Sequence, residues 1–295
     1  MDLACLTAEE LLKLAVPHED IAPLLAGRPA PGSDAWRRLQ QDAGDLLARM
    51  GRADSGPRPP EEATAEFGPY YYVYVFLALL PHVRAYHREH GIPAEVSWFT
   101  LTDLGRHMAV HRRLHGRPGL NAVWWHTLHF RGLLYALGRL QFERAPLGEA
   151  MAGLARSAGI DAEAGEPVLS VHIPDFLGPM TPEACEESFR RAREFFPRHF
   201  PEDFPDGKVR LAVCDSWLLD GRLAAHLPRG SNIVAFQRRF VTGNPRPDRD
   251  GILPFVYGTA EPPAVPPRRT SLERAVATLL DGGAVPCWTM GVTRL

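Results

Sequence analysis

The sequence predicts a mixed α/β fold in which a helical first part precedes a region of alternating strands and helices. Near the start, apolar residues recur at helical spacing behind Thr7 and Glu10, which together form a capping box. Further along, β-branched runs at 168–174 and 208–216 indicate strands. Strands that alternate with helices are typical of α/β layers, so we expect a sheet in the second part.

The helices of the first part follow from their apolar spacing. Segment 69–90 predicts a long helix that Pro81 kinks or splits, and segment 101–115 predicts an amphipathic helix closed by Gly116. The longest uncharged apolar run, Tyr70–Leu80, has 11 residues, whereas a bilayer span needs about 18–20. That run therefore indicates a buried core helix.

In the second part, Thr181 followed by Pro182 indicates the N-terminus of a helix that ends before Pro201. Period-2 alternation in 231–242 and the short run 253–257 predict two further strands. The remaining predicted elements are a strand or two within 130–143, a short helix at 218–227 and a last helix at 271–281.

Charge and cysteine usage exclude several classes of protein. The formal net charge of −2 over 295 residues excludes binding to nucleic acid or to an anionic membrane through overall charge attraction. The 4 cysteines lie far apart without a C-x-x-C pair, so they indicate neither a disulfide framework nor a zinc ribbon. The N-terminal segment lacks the basic region of a signal peptide. We therefore expect a cytoplasmic protein that binds neither nucleic acid nor membrane.

Histidines recur on one predicted helix face, where His107, His111 and His115 are spaced four residues apart. Three imidazoles on one face could bind zinc. However, consecutive positions of one helix rarely supply all three ligands, and no flanking carboxylate is obvious. We expect a solvated, partly basic face and no metal site.

The turn at 175–181 joins a predicted strand to a predicted helix and is a candidate phosphate site. A helix N-terminus presents unpaired N–H groups, and Gly178 allows a ligand to approach the backbone closely. Glu183, Glu186 and Glu187 oppose an anion there. Because every strand–helix unit has this geometry, a turn that binds nothing is an equal alternative.

Polar residues also cluster at the end of the 208–216 strand. Cys214 suits a small buried hydrophobe, and Asp215 or Ser216 suits a helix cap. A nucleophilic pair of Cys214 with His172 is the catalytic alternative. Glu143, at the end of another predicted strand, could act as a general base if burial raised its pKa.

Longer stretches carry a resemblance to a known family. They are HFRGLLYALGRLQFE (129–143), SVHIPDFLGPMTPEACEESFRRAREFFPRHFP (170–201), CDSWLLD (214–220) and SNIVAFQRRF (231–240). With them the chain resembles bacterial acyltransferase-domain proteins that join a helical N-acyltransferase N-terminal domain to a GNAT-like C-terminal domain. The resemblance covers most of the chain from the tyrosine-rich helix onward, and it implies domains at 1–130 and 131–295.

The resemblance implies a GNAT fold, a mixed sheet whose two central parallel strands splay apart and hold an acyl-CoA between them. The resemblance implies that 168–174 and 208–216 are these two central strands and that His172 lies beside the thioester. It also implies that 231–242 and 253–257 form the final antiparallel pair. The residues that it assigns to the coenzyme A thioester are Ile173, Leu177, Gly178, Met180 and Thr181, with Arg190 and Arg191 for the outer phosphates.

The implied reaction is direct transfer of an acyl group from acyl-CoA, or from an acyl carrier protein thioester, to a small amine. No acyl-enzyme and no metal take part. His172 and Asp215 are the residues expected to take up or release the proton, and Glu143 is the next candidate. The tyrosine that usually protonates the leaving thiolate is missing, so Ser216, His226 or water would do so.

Two other functions stay open. The usual pyrophosphate signature, Arg or Gln followed by G-x-G or G-x-A, is missing from DFLGPMT at 175–181. Together with the missing tyrosine, this favours a catalytically inactive GNAT-like binding or regulatory module. A hydrolase that uses Cys214 and His172 is the third hypothesis.

Overall fold

The structure is a computed structural model, and it divides the chain into two units. Met1–Ala136 is here called the helical unit and Leu137–Leu295 the sheet unit. In the part of the chain that the structure describes, no helix is long and apolar enough to cross a membrane. The described residues are 3, 5–54, 59, 62–260 and 265–295.

Helices make up nearly all of the regular structure described in the helical unit. Thr7 accepts a hydrogen bond from the Glu10 amide while the Glu10 side chain accepts one from the Thr7 amide, so the predicted capping box is confirmed. The elements of this unit are α1 (Ala8–Lys13), α2 (His18–Ala26), α3 (Asp34–Leu47), α4 (Glu62–Phe67), α5 (Tyr71–Glu89), α6 (Ala94–Leu101), α7 (Asp103–His115), α8 (Val123–Phe130) and β1 (Leu134–Ala136).

Helix α5 lies in the core of this unit. It buries every residue from Tyr71 to Leu80, because the run is apolar on all faces. Pro81 lies inside α5 without splitting it. The predicted helix at 101–115 is α7, which ends at Gly116 with φ +65°.

The sheet unit contains a mixed sheet with helices between its strands. The strands are ordered β2-β3-β4-β6-β5. Neighbours pair antiparallel except β3 and β4, which run parallel. The elements are β2 (Gln141–Pro146), α9 (Glu149–Ser157), β3 (Pro167–His172), α10 (Pro182–His199), β4 (Leu211–Ser216), α11 (Asn232–Gln237), β5 (Val241–Pro247), α12 (Arg249–Tyr257), α13 (Ser271–Asp281) and β6 (Cys287–Arg294).

Two predicted strands are wrong. Segment 231–242 forms α11 before β5 begins. The reason is that Gln237 is buried and its side-chain Nε2 donates to the carbonyls of Leu218 (2.8 Å) and Asp220 (3.0 Å). Segment 253–257 lies in α12. The Asp248 side chain caps the N-terminus of this helix by accepting a hydrogen bond from the Gly251 amide.

The final antiparallel pair is therefore β5 with β6, not 231–242 with 253–257. Sequence reasoning did not foresee β6. The short helix predicted at 218–227 is a pair of 3₁₀ turns, Trp217–Leu219 and Gly221–Ala225.

The central strands β3 and β4 separate, as the resemblance implied. Of residues 167–172 and 211–216, all of which the structure describes, only Leu169 with Ala212 and Ser170 with Val213 are in register. By contrast, β2 pairs with β3 at six positions, from Pro146–Pro167 to Gln141–His172. The predicted mixed GNAT-like sheet with a splayed strand pair is confirmed.

A pair of glycine substitutions tests the packing of the helical unit. A Cβ on Gly105 would lie 2.2 Å from the Ala15 carbonyl, whereas one on Gly44 would meet nothing within 4 Å. We expect Gly105→Ala to lower the free energy of unfolding by about 2 kcal/mol or more, because backbone must move.

Gly44→Ala, in the interior of α3, is the matched control. It should raise the free energy of unfolding by about 0.5–1 kcal/mol. Urea unfolding of both variants measures the difference. Equal stabilities for the two variants would contradict this packing.

Candidate active site

A histidine and a glutamate meet beside the point where β3 and β4 separate. The His172 Nε2 and Glu143 Oε2 atoms lie 2.9 Å apart. Both side chains are partly buried, with 24% and 20% of their surface exposed. Because a carboxylate only accepts hydrogen bonds, this contact orients the imidazole ring and stabilises it when it gains a proton.

The antiparallel register of β2 and β3 brings this pair together. Glu143 lies opposite Ser170, so His172 is its diagonal neighbour on the same face. Phe142 points to the other face, where its ring lies 5.5 Å from the ring of Phe189 on α10. The apolar side of β2 thus anchors the strand on α10 while Glu143 faces away from that helix.

The turn before α10 has the features predicted for a phosphate site. The Thr181 hydroxyl accepts a hydrogen bond from the Ala184 amide at 3.2 Å, which confirms the predicted N-cap. Gly178 is exposed, has φ +78° and has open space where a Cβ would lie. A ligand can therefore approach the backbone of this turn.

Arg139 reaches this turn from the loop before β2, and sequence reasoning missed it. Its Nε donates to the Gly178 carbonyl at 2.8 Å. The Ser188 hydroxyl accepts from the Arg139 amide at 2.8 Å, which docks the loop on α10. The buried Nη1 of Arg139 has no hydrogen-bond partner, and burial lowers the pKa of this guanidinium. Only the sequence "GR" after a predicted strand could have indicated it.

The other residues assigned to coenzyme A differ in exposure. Ile173 and Leu177 are half-buried, and Met180 is buried beside a cavity of about 60 Å³ that Cys185 and Phe236 also line. These three side chains provide apolar surface on either side of the turn.

Arg190 and Arg191 lie on exposed turns of α10 and are paired with glutamates. Arg190 contacts Glu187 and Glu194 at 2.7 Å each, and Arg191 contacts Glu187 at 2.7 Å. These contacts compete with any phosphate for the two guanidinium groups, as the charges of neighbouring glutamates suggested.

Asp215 and Ser216, the other predicted proton-handling residues, each have a local partner. Both oxygens of Asp215 accept from Arg246 Nη2, at 2.7 and 2.6 Å. The Ser216 hydroxyl accepts from the Leu218 amide at 3.2 Å and caps a 3₁₀ turn. Of the four predicted catalytic residues, the structure brings Glu143 and His172 into contact.

Cys214 is the nucleophile of the hydrolase hypothesis, and its surroundings disfavour that role. The residue is completely buried, and burial together with the charge of Asp215 raises the pKa of its thiol. A thiolate is the reactive form of cysteine, so this thiol is inert in the folded protein.

The mixed sheet with a parted pair of central strands is the arrangement that the resemblance to GNAT-like acyltransferases implied. Comparison with known families gives the same class: residues 6–132 match the N-acyltransferase N-terminal domain and residues 134–293 match the GNAT-like C-terminal domain. The chain belongs to the family that joins these two domains, and the resemblance seen in its sequence is confirmed.

Solved structures of acyltransferases are similar to this chain over nearly its whole length. An acyltransferase mutant in complex with octanoyl-CoA is 38% identical with a TM-score of 0.82, and the match covers 97% of this chain and 87% of that one. An acyltransferase in complex with decanoyl-CoA and teicoplanin is 39% identical with a TM-score of 0.80 and the same coverage. The comparison with curated proteins gave no match.

Alkylation of the native protein tests the inertness of Cys214. We expect iodoacetamide to modify exposed Cys5 and to leave Cys214 unmodified, because the raised pKa and burial of Cys214 suppress its thiolate. Peptide mass spectrometry measures both sites. Labelling of Cys214 in the folded chain, with loss of activity, would contradict this description and revive the hydrolase.

Proposed function

We propose that this protein transfers a medium-chain fatty acyl group from its coenzyme A thioester to an amine of a glycopeptide. The observation that carries the proposal is the His172–Glu143 contact at 2.9 Å beside the separated strands. Relatives at 38–39% identity in complex with octanoyl-CoA, decanoyl-CoA and teicoplanin support both the donor and the acceptor class.

The donor is proposed to enter where β3 and β4 part. Its pantetheine arm would pair with the backbone of β3 after Ser170, the last residue of β3 that is in register with β4. The pyrophosphate would lie at the 175–181 turn, where Gly178 leaves room and Arg139 supplies a positive charge. Since Arg190 and Arg191 are engaged by glutamates, Arg139 is the better candidate for the phosphates.

The acceptor amine would attack the thioester carbonyl directly. A carbon–nitrogen bond forms, the carbon–sulfur bond breaks, and backbone N–H groups of β3 stabilise the negative charge on the carbonyl oxygen. His172 takes the proton that the amine loses, and Glu143 stabilises the resulting imidazolium. The leaving thiolate then takes a proton from the imidazolium or from water.

Since Glu143 only accepts, Nε2 of His172 carries the hydrogen of their contact, and Nδ1 is the basic nitrogen in this scheme. The ion pair with Arg246 supports a structural role for Asp215, and the capping contact supports one for Ser216. The inertness of Cys214 supports a reaction without an acyl-enzyme.

The sequence predicted acyl-CoA or an acyl carrier protein as the donor and a small amine as the acceptor. Relatives in complex with acyl-CoA and with teicoplanin favour the CoA donor and a glycopeptide acceptor. The cytoplasmic location stays a prediction, and the free state of all 4 cysteines supports it.

Substitutions at the histidine–glutamate pair test the mechanism. With decanoyl-CoA and a glycopeptide that carries a free amine, we expect His172→Ala to lower kcat/KM by about 10²–10⁴-fold, because general base catalysis is lost. Glu143→Gln should lower it less, since the ring keeps a hydrogen-bonding neighbour. Release of the CoA thiol measures the rate.

Asp215→Asn is the matched control, because it changes a carboxylate at the neighbouring strand end that pairs with Arg246. Its kcat/KM should stay within a few-fold of the wild type. A loss equal to that of His172→Ala would move the proton transfer to Asp215. Turnover of a simple alkylamine in preference to the glycopeptide would overturn the acceptor class.

A further inference from the structure

A buried group of one carboxylate and several imidazoles lies in the helical unit, outside the proposed active site. Asp103 begins α7, while His126 and His129 lie one turn apart on α8. One potential ligand atom from each of the three lies within 4.8 Å of the others, and all three side chains are buried. His107, one turn along α7, points its Nε2 to Asp103 Oδ2 at 3.5 Å.

Neither ring nitrogen of His126 makes a hydrogen bond of good geometry, although the Asn121 backbone lies within reach of the ring. The residue is completely buried. Its ring lies among the rings of Phe76, His107 and His129. A buried imidazole in such surroundings is destabilising unless a proton donor, a water or a metal ion meets its lone pair.

The orientation of His129 also indicates a cation. Its Nδ1 lies 3.1 Å from the Trp125 carbonyl, to which a ring N–H must donate. With the hydrogen on Nδ1, the Nε2 lone pair faces Asp103 Oδ2 at 3.2 Å. A lone pair and a carboxylate oxygen at this distance repel each other unless a proton or a metal ion lies between them.

The cluster contains side chains that can bind a metal ion and further groups that orient those side chains. Tetrahedral zinc at its usual bond lengths separates neighbouring ligand atoms by about 3.3 Å, close to the 3.2 Å between His129 and Asp103. Trp125 Nε1 donates to Asp103 at 2.8 Å, and the Trp125 carbonyl faces His129 Nδ1. Such contacts orient ligands in established metal sites.

We propose that Asp103, His126 and His129 bind one zinc ion in the helical unit, with His107 as the fourth side chain. The ion would tie the start of α7 to α8 and so stabilise this unit. Of the predicted face of His107, His111 and His115, only His107 belongs to this site. His111 and His115 contact each other instead, with their ring centroids 4.6 Å apart.

Metal titration of the full-length chain tests the proposal. After treatment with a chelator, the wild type should take up one zinc per chain, with a rise in Tm, and Co²⁺ should give the visible absorption of a tetrahedral nitrogen and oxygen site. Asp103→Asn and His126→Gln should each weaken zinc binding at least tenfold. Circular dichroism establishes that these variants are folded.

His115→Gln is the matched control, because it removes an exposed histidine of α7 and breaks the surface pair with His111. It should leave stoichiometry and affinity unchanged. Loss of binding in His115→Gln would place the metal on the surface and overturn the proposal. So would a wild-type chain that binds no zinc at micromolar concentrations, a result that holds even if the buried variants fail to fold.

Discussion

The site depends on one constraint in the sheet, the short pairing of β3 with β4. Each of these strands keeps a full ladder with its outer neighbour: β3 with β2 and β4 with β6. The two strands can therefore part after Ser170 without losing their places in the sheet. Backbone groups on the inner edge are left without a strand partner, and each costs about 1–3 kcal/mol if buried and unsatisfied. A substrate arm that carries amide groups can satisfy them.

The same strands also position His172 and Glu143. Since side chains alternate along β2, the residues that pack on α10 and the residue that contacts His172 are next to each other in sequence. Phe142 fixes the strand through α10, and Glu143 is held on the opposite face. Ser188 performs a similar task for Arg139, because its hydroxyl docks the preceding loop on α10. The apolar packing of one face thus determines the polar geometry of the other.

Local signals predicted the parts of the fold that local chemistry decides. The capping box of Thr7 and the Thr181–Pro182 start of α10 were readable because cap and partner are neighbours in sequence. Period-2 alternation misled at 231–242, where the buried hydrogen bonds of Gln237 select a helix. Strand β6 was missed in part because Gly291 weakens its signal. A Cβ there would lie 2.6 Å from Leu219, so the glycine serves packing that the sequence does not display.

Sites that join distant segments were harder to predict. Glu143 and His172 were each singled out, but their contact depends on a strand register that no local pattern records. The Asp103 cluster joins two helices, so the regular His107–His115 spacing, which lies within one helix, could not indicate it. The most direct measurement is a crystal structure of the chain with decanoyl-CoA. We predict that the pantetheine arm lies between β3 and β4 with its thioester beside His172. Full pairing of β3 with β4, with the ligand bound elsewhere, would contradict the account.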